Sequence, residues 1–246
     1  MKICIRMSSD KPIVLNANYN RVLQAFIYNN ISENDLHDKG YKINGRNFKL
    51  FTFSQIFGVY KFIKKDKKIV FTDEIRFIVS SADEDFVNEL VKNLLTSEEL
   101  KLGENTVKII EVNKVDELFE GNKIVVKTIS PAVAYSTEIR GDKKFTRYLP
   151  PEDENFIRIV RENLLKKCKL LGVGNSEDVQ ITHLGDSKKI VTSFKGTIIE
   201  AYLGTFLLEG DKEILNVALS CGIGSKSSQG FGCIELRGEI YDRSDS

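Results

Sequence analysis

The spacing of apolar residues changes along the chain, and the changes mark its elements. "KICIRM" (2–7) alternates, with Ile3 and Ile5 on one side, which predicts a strand. "NYNRVLQAFIYNNI" (18–31) places Val22, Leu23, Phe26, Ile27 and Ile31 at helical spacing. "FKLFTFSQIF" (48–57) and "KIVFTDEIRFIVSS" (68–81) read as strands, and "DEDFVNELVKNLL" (83–95) as an acid-led helix with Phe86, Leu90 and Leu94 on one face. "NTVKIIEVNKV" (105–115) alternates again. The order is strand, helix, strand, strand, helix, strand.

The second half repeats that order more loosely. "NKIVVKTIS" (122–130) is a strand stopped by Pro131. "PEDENFIRIVRENLLKKCKLL" (151–171) is a helix that opens on a proline and an acidic turn and ends before Gly172. "DVQITHL" and "KKIVTSFKGTIIEAYLGTFLLEG" supply strands, "DKEILNVALSCG" (211–222) a short helix and "GFGCIELRGEIYD" (230–242) the last strand. The expected fold class is therefore α+β: two tandem ferredoxin-like βαββαβ (RRM-like) domains. The expected domains are 1–118 and 122–246, with the boundary near "DELFEGN" (116–122).

Composition narrows the function classes. The chain has 246 residues and a net charge of +1, so any basic surface for nucleic acid must be local. Cys4, Cys168, Cys221 and Cys233 form no C-x-x-C pair, and His37 and His183 are far from them in sequence, which argues against a zinc site. The N-terminal apolar run is too short for a signal peptide, and no stretch nears the roughly 20 apolar residues of a membrane helix. A cytoplasmic protein with reduced thiols and no membrane contact is expected.

The segment "CGIGSKSSQGFGCIEL" (221–236) holds Gly222, Gly224, Gly230 and Gly232. It is not a Walker A loop, because Lys226 follows Ser225 and a helix precedes the glycines. The Rossmann order is reversed as well. A flexible main chain with exposed N–H groups could cradle an anion, with Lys226 adding charge and Ser225, Ser227, Ser228 and Gln229 adding donors. A plain solvent-exposed connector is the other reading.

The helix followed by "GIGSKSSQGFGCIEL" resembles the C-terminal glycine-rich loop of the Cas6 family and of RAMP proteins more broadly. "YNRVLQAFIYNNI", "LHDKGY" and "FKLFTFS" resemble Cas6 endoribonucleases in order and residue type. The two matches bracket the chain. The resemblance implies metal-independent cleavage of CRISPR repeat RNA in precursor transcripts to make crRNA. The 2′-OH attacks the adjacent phosphate, expels the 5′-oxygen and leaves a 2′,3′-cyclic phosphate. It also implies no cofactor, repeat RNA or crRNA as partner, room for a homodimer, and hand-over of product to a multi-subunit interference complex.

In several family members the site is a tyrosine, a histidine and a lysine. The resemblance puts them on Tyr28 of "FIYNN", His37 of "LHDKG" and Lys49 of "FKLFTFS". It implies that His37 is the general base or acid, whose unperturbed pKa of about 6.5 suits both tasks. Lys49 would stabilise the transition state, and Tyr28 would orient the 2′-OH or help proton transfer. Lys42 or Arg46 could take the cationic role instead. His183, in register with Val179 and Ile181, reads as a sheet-packing residue.

Basic residues cluster in three places. Lys39, Lys42, Arg46 and Lys49 flank His37. Lys61, Lys64, Lys65, Lys67 and Lys68 surround a turn and read as a solvated loop. Arg140, Lys143, Lys144 and Arg147 interleave with Phe145 and Tyr148, which joins charge to stacking surface and makes a loop suited to RNA. Two other readings remain: a non-catalytic RAMP-type subunit that binds crRNA without cutting, and an unrelated ferredoxin-like protein that binds a small phosphorylated ligand.

Overall fold

The computed structural model describes residues 1–31, 41–43, 46–115, 118–141, 143–173 and 179–239. The first unit runs β1 (Lys2–Ser8), α1 (Asn20–Asn29), β2 (Phe51–Phe53), β3 (Ile75–Ser81), α2 (Glu84–Thr96) and β4 (Asn105–Val115). Its antiparallel sheet has the order β2-β3-β1-β4, extended at the β4 edge by Leu100–Leu102. The second unit runs β5 (Lys123–Thr128), α3 (Glu154–Leu171), β6 (Val179–Phe194), β7 (Thr197–Gly210), α4 (Lys212–Cys221) and β8 (Ile234–Glu239). Its sheet order, β6-β7-β5-β8, repeats the first. Both are ferredoxin-like, with the first strand of each unit inside the sheet.

Alternation explains the packing. Ile3, Ile5 and Met7 of β1 are buried in one core with Leu23, Phe26 and Ile27 of α1 and Phe86, Val87, Leu90 and Leu94 of α2. On the other face of β1, Arg6 bonds Glu74 at 2.6 Å and its cross-strand neighbour Glu111 at 2.8 Å. In the second unit Ile124 and Val126 share a core with Phe156, Val160 and Leu164 of α3 and Ile214, Leu215 and Ala218 of α4. Local chemistry ends the helices. Asp83 caps α2 through Phe86 N (3.1 Å), and Asp153 caps α3 through Asn155 N (2.9 Å). Gly172, left-handed at φ 65°, closes α3.

Four expected boundaries shift. The 48–57 strand is continuous in this sheet over Phe51–Phe53, with a separate bridge from Phe57 to Arg76 of β3. The 68–81 run breaks at the polar "TDE": Lys68–Phe71 joins a small sheet with Ile13–Asn16 and Tyr60–Ile63, and β3 starts at Ile75. The expected basic loop at 140–148 is a hairpin, Tyr135–Arg140 with Lys143–Tyr148, turned at Gly141. The last strand starts at Ile234, because Gly230–Cys233 belong to a packed loop.

The two units meet through hydrogen bonds from buried polar groups. Lys2 Nζ donates to Ile234 O (3.0 Å), Thr52 Oγ1 to Phe231 O (3.1 Å) and Ser80 Oγ to Leu219 O (3.2 Å). Among the described residues, no helix is long and apolar enough to cross a membrane.

Candidate active site

The glycine-rich loop is folded back, with its glycines buried and Ser225, Lys226, Ser228 and Gln229 half-buried. Gly232 has φ 70°, and a Cβ there would run into the carbonyl oxygen of Ile223. Gly230 has φ 83°, and a Cβ there would enter the ring of Phe53. Gly222 and Gly224 are similarly enclosed, by Gly232 O at 2.5 Å and Val133 O at 2.6 Å. The glycines are therefore needed for contact between backbones, and these approaches are to protein. Ile223 N→Gly232 O (2.8 Å), Ser225 N→Val133 O (2.7 Å) and Gly232 N→Pro131 O (2.9 Å) hold the loop shut.

Within the loop Lys226 is left-handed (φ 64°) and is followed by a right-handed 3-10 turn, Ser227–Gln229. A left-handed residue followed by right-handed ones turns successive N–H groups to one side, the geometry of an anion-binding nest. Behind this turn Lys167 of α3 is buried, 3% exposed. Its ammonium donates to Cys221 O (2.8 Å), Gly222 O (2.8 Å) and Ser227 Oγ (2.9 Å). Burial brings its pKa down to about 8.

The first unit meets the loop with one stripe of α1. Asn20, Gln24 and Tyr28 are four residues apart and so share a face. Asn20 Nδ2 donates to Gln229 O (2.9 Å) and Gly230 O (3.1 Å), and Gln24 Nε2 donates to Ser228 O (2.6 Å). The Tyr28 phenol hydrogen-bonds the Ser228 side chain. Its ring packs edge-on against Phe51 at 5.7 Å, and Lys49 Nζ lies 4.5 Å from its centroid. Burial pushes the Tyr28 pKa up to about 12, against a smaller opposing effect from Ser228. At neutral pH this phenol is a proton donor.

Beside this junction opens a cleft of about 600 Å³, lined by residues including Lys49, Tyr135, Lys166, Ser225, Lys226 and Gln229. That volume suits a small ligand or one nucleotide. Lys226 Nζ sits 5.2 Å from the Tyr135 ring centroid, and partial burial lowers its pKa. Gln229 lines the cleft, and its Oε1 is buried with no hydrogen-bond partner among the described residues. Glu162, on the cleft wall, is tied to Arg158 at 2.6 Å and to Lys166 at 3.9 Å.

The hairpin starts at the rim of the cleft, and its alternation divides the basic cluster. Tyr135, Thr137 and Ile139 pair with Tyr148, Thr146 and Lys144 on one face. Tyr135 and Thr137 line the cleft, so Lys144 lies on the cleft-facing side of the ribbon. Lys143, Phe145 and Arg147 occupy the other face. Phe145 is 45% exposed there, while Arg147 is near Glu138 (3.5 Å) and Asp153 (3.9 Å). The backbone of Arg140 pairs with Lys143.

His37 lies outside the described residues. Lys42 and Arg46 are on a short hairpin, Tyr41–Ile43 with Arg46–Phe48, that leads into Lys49. His183 is in β6, its ring 5.3 Å from Phe206 and its Nδ1 3.8 Å from Glu152; this is a packing position. Among the described residues, no group of three His, Cys, Asp or Glu side chains is placed to hold a metal. The sequence reading missed Lys167, Asn20 and Gln24. The polar stripe at 20, 24 and 28, beside the buried Leu23, Phe26 and Ile27, was a usable signal. For Lys167 the helical register was the signal: it lies three residues after Leu164, on the buried side.

Comparison with known proteins adds the family. Residues 14–113 match the model described as CRISPR-associated protein Cas6, N-terminal, and residues 113–236 match CRISPR associated protein Cas6, C-terminal. The chain is 27% identical over 234 residues to the endoribonuclease-like protein Cas6nc of Pyrococcus horikoshii, covering 92% of this chain and 95% of that one. It is 26% identical over 239 residues to CRISPR-associated endoribonuclease Cas6 1 of Methanocaldococcus jannaschii, covering 95% and 92%. A solved structure of a Cas6-related gene product from Pyrococcus furiosus superposes with a TM-score of 0.83 at 24% identity, over 98% of this chain and 99% of that one.

Proposed function

Since this chain belongs to the Cas6 family, we propose that it is an endoribonuclease that cuts CRISPR repeat RNA in precursor transcripts, without metal, to give crRNA. The reaction is attack of a 2′-oxygen on the adjacent phosphorus with loss of the 5′-oxygen. The 2′-OH proton passes to a base, the P–O5′ bond breaks, the leaving oxygen takes up a proton, and a 2′,3′-cyclic phosphate remains. The two ferredoxin-like units, taken as domains at 1–118 and 122–246, would hold the RNA along the face they share.

The observation that carries this reading is the meeting of Lys49 and the glycine loop at one cleft, with Tyr28 packed against both Lys49 and Ser228 beside it. Lys49 supplies a cation for the phosphorane-like transition state. The high pKa of Tyr28 supports a role as a neutral donor that orients the 2′-OH or a phosphate oxygen, and argues against its being the base. That task falls to His37 of the segment between α1 and β2. The nest at Lys226–Ser228, with Ser225 and Gln229, suits a neighbouring phosphate and sugar. Gly222, Gly224, Gly230 and Gly232 serve binding by giving the loop its shape. Lys144 extends the electrostatic track, and Lys42, Arg46, Arg140, Lys143 and Arg147 are further candidates for phosphate contact.

The test is cleavage of the cognate repeat in excess EDTA by the intact protein and His37→Ala, with a second substrate carrying a 2′-deoxy sugar before the cut. The expected result is cutting by the intact protein, resistance of the deoxy substrate, and a loss of roughly 10²–10⁴ in rate for His37→Ala with RNA binding kept. Tight binding without cutting would make the chain a non-catalytic crRNA-binding subunit. Cutting that His37→Ala leaves unchanged would move the base to another residue.

A further inference from the structure

Lys167 takes no part in the proposed chemistry, yet it is a buried cation on the wall of the cleft. An ammonium has three protons to donate, and Lys167 has three acceptors: Cys221 O, Gly222 O and Ser227 Oγ. Two of these are carbonyls at the C-terminal end of α4, where helix carbonyls lack intrahelical partners and a cation is favoured. The third belongs to the first residue of the 3-10 turn. Lys167 thus joins the end of one helix to the start of the next turn, across the mouth of the glycine loop.

The next residue, Ser228, is where the second unit meets the site. Its side chain bonds the Tyr28 phenol, and its carbonyl accepts from Gln24 Nε2 at 2.6 Å. Tyr28 in turn lies under Lys49. A continuous path runs from Lys167 through Ser227 and Ser228 to Tyr28. The geometry points to Lys167 as a positioning residue that fixes the 3-10 turn and thereby the Tyr28 phenol beneath Lys49. This role rests on the proposed cleavage. A misplacement of about 1 Å at a reacting group can cost on the order of a hundredfold in rate, so a buried residue on the cleft wall that touches no reacting atom can control turnover.

The experiment compares the full chain with Ser227→Ala, Lys167→Met and the double variant, using repeat RNA in EDTA under single-turnover conditions. Ser227→Ala removes one bond and no charge, so it carries the test even if Lys167→Met does not fold. Both single variants should lose roughly tenfold to a hundredfold in the saturating rate, a larger effect than any loss in the half-saturating concentration. The double variant should lose no more than Lys167→Met alone, since the two residues act in series. In parallel, the ¹³C ring signal of Tyr28, assigned by its absence in Tyr28→Phe, should shift in each variant. An unmoved Tyr28 signal in Ser227→Ala overturns the proposal. So do additive losses, or a weaker half-saturation with an unchanged saturating rate. If the intact protein does not cut RNA, the cleavage reading fails, and the Tyr28 signal still decides whether Lys167 positions the phenol.

Discussion

Replacing Gly232 by alanine should destabilise the protein far more than the same change at Gly172, although both residues are left-handed. Gly232 has φ 70° and Gly172 has φ 65°, so the conformational penalty for an L side chain is common to both. That penalty is about 1–2 kcal/mol, offset by about 0.4–1 kcal/mol from the lost freedom of the unfolded glycine. At Gly172 a Cβ meets nothing within 4 Å, so the net cost should stay near 1 kcal/mol. At Gly232 the Cβ would overlap Ile223 O and lie 3.0 Å from that carbonyl carbon. Relief requires the two loop segments to separate. Separation breaks Ile223 N→Gly232 O (2.8 Å) and strains Gly232 N→Pro131 O (2.9 Å). Buried groups left unpaired cost about 1–3 kcal/mol each, so Gly232→Ala should cost roughly 2–5 kcal/mol beyond Gly172→Ala. That is a large part of the roughly 5–15 kcal/mol of a typical domain. Urea denaturation at fixed slope gives both values. RNA cleavage by Gly232→Ala should collapse together with its stability. A difference under about 1 kcal/mol between the two variants would refute the packed-loop account and return the glycines to a conformational or ligand-contact role.

Three further outcomes are expected. Tyr28→Phe keeps the ring under Lys49 and removes the phenol, so cleavage should fall roughly a hundredfold with a denaturation midpoint close to that of the intact chain; because the folded pKa is about 12, tyrosine ionisation should not shape the rate profile below pH ~10. Stability should rise with pH through the Lys167 window: its folded pKa of about 8 lies below the ordinary lysine value of 10.5, so above pH ~8 the unfolded state keeps a proton that the folded state has released. The gain is complete near pH ~10.5, at most on the order of 3 kcal/mol, and chemical denaturation of Lys167→Met should lack it. Lys144→Ala should weaken RNA binding and reduce its salt slope by about one, with a smaller effect from Lys143→Ala on the other hairpin face; equal effects in fluorescence anisotropy would show that the RNA wraps both faces.

Periodicity alone determined the helices and central strands. The stripes through Leu23, Phe26 and Ile27, through Phe86, Leu90 and Leu94, and through Phe156, Val160 and Leu164 are local consequences of a 3.6-residue repeat facing one core. The alternation of Ile3, Ile5 and Met7 is the equivalent for a strand. Helix ends at Asp83, Asp153 and Gly172 were also written locally, in capping chemistry. The division of 68–81 into two sheets was not, because Lys68–Phe71 and Ile75–Ser81 each look like strands and only their distant partners distinguish them. The site followed the same rule. Tyr28 and Lys49 could be named from their motifs, but their placement over one another depends on Ser228 and Gln229, some 200 residues away along the chain. The glycine loop shows the difference most clearly. Its composition suggests mobility, yet its glycines are set by what surrounds them: Val133, Phe53 and the loop's own carbonyls, brought within about a side chain's width by the folding of two units. Local sequence determines which backbone shapes are open to a segment. Only long-range packing decides which neighbour makes one of them obligatory.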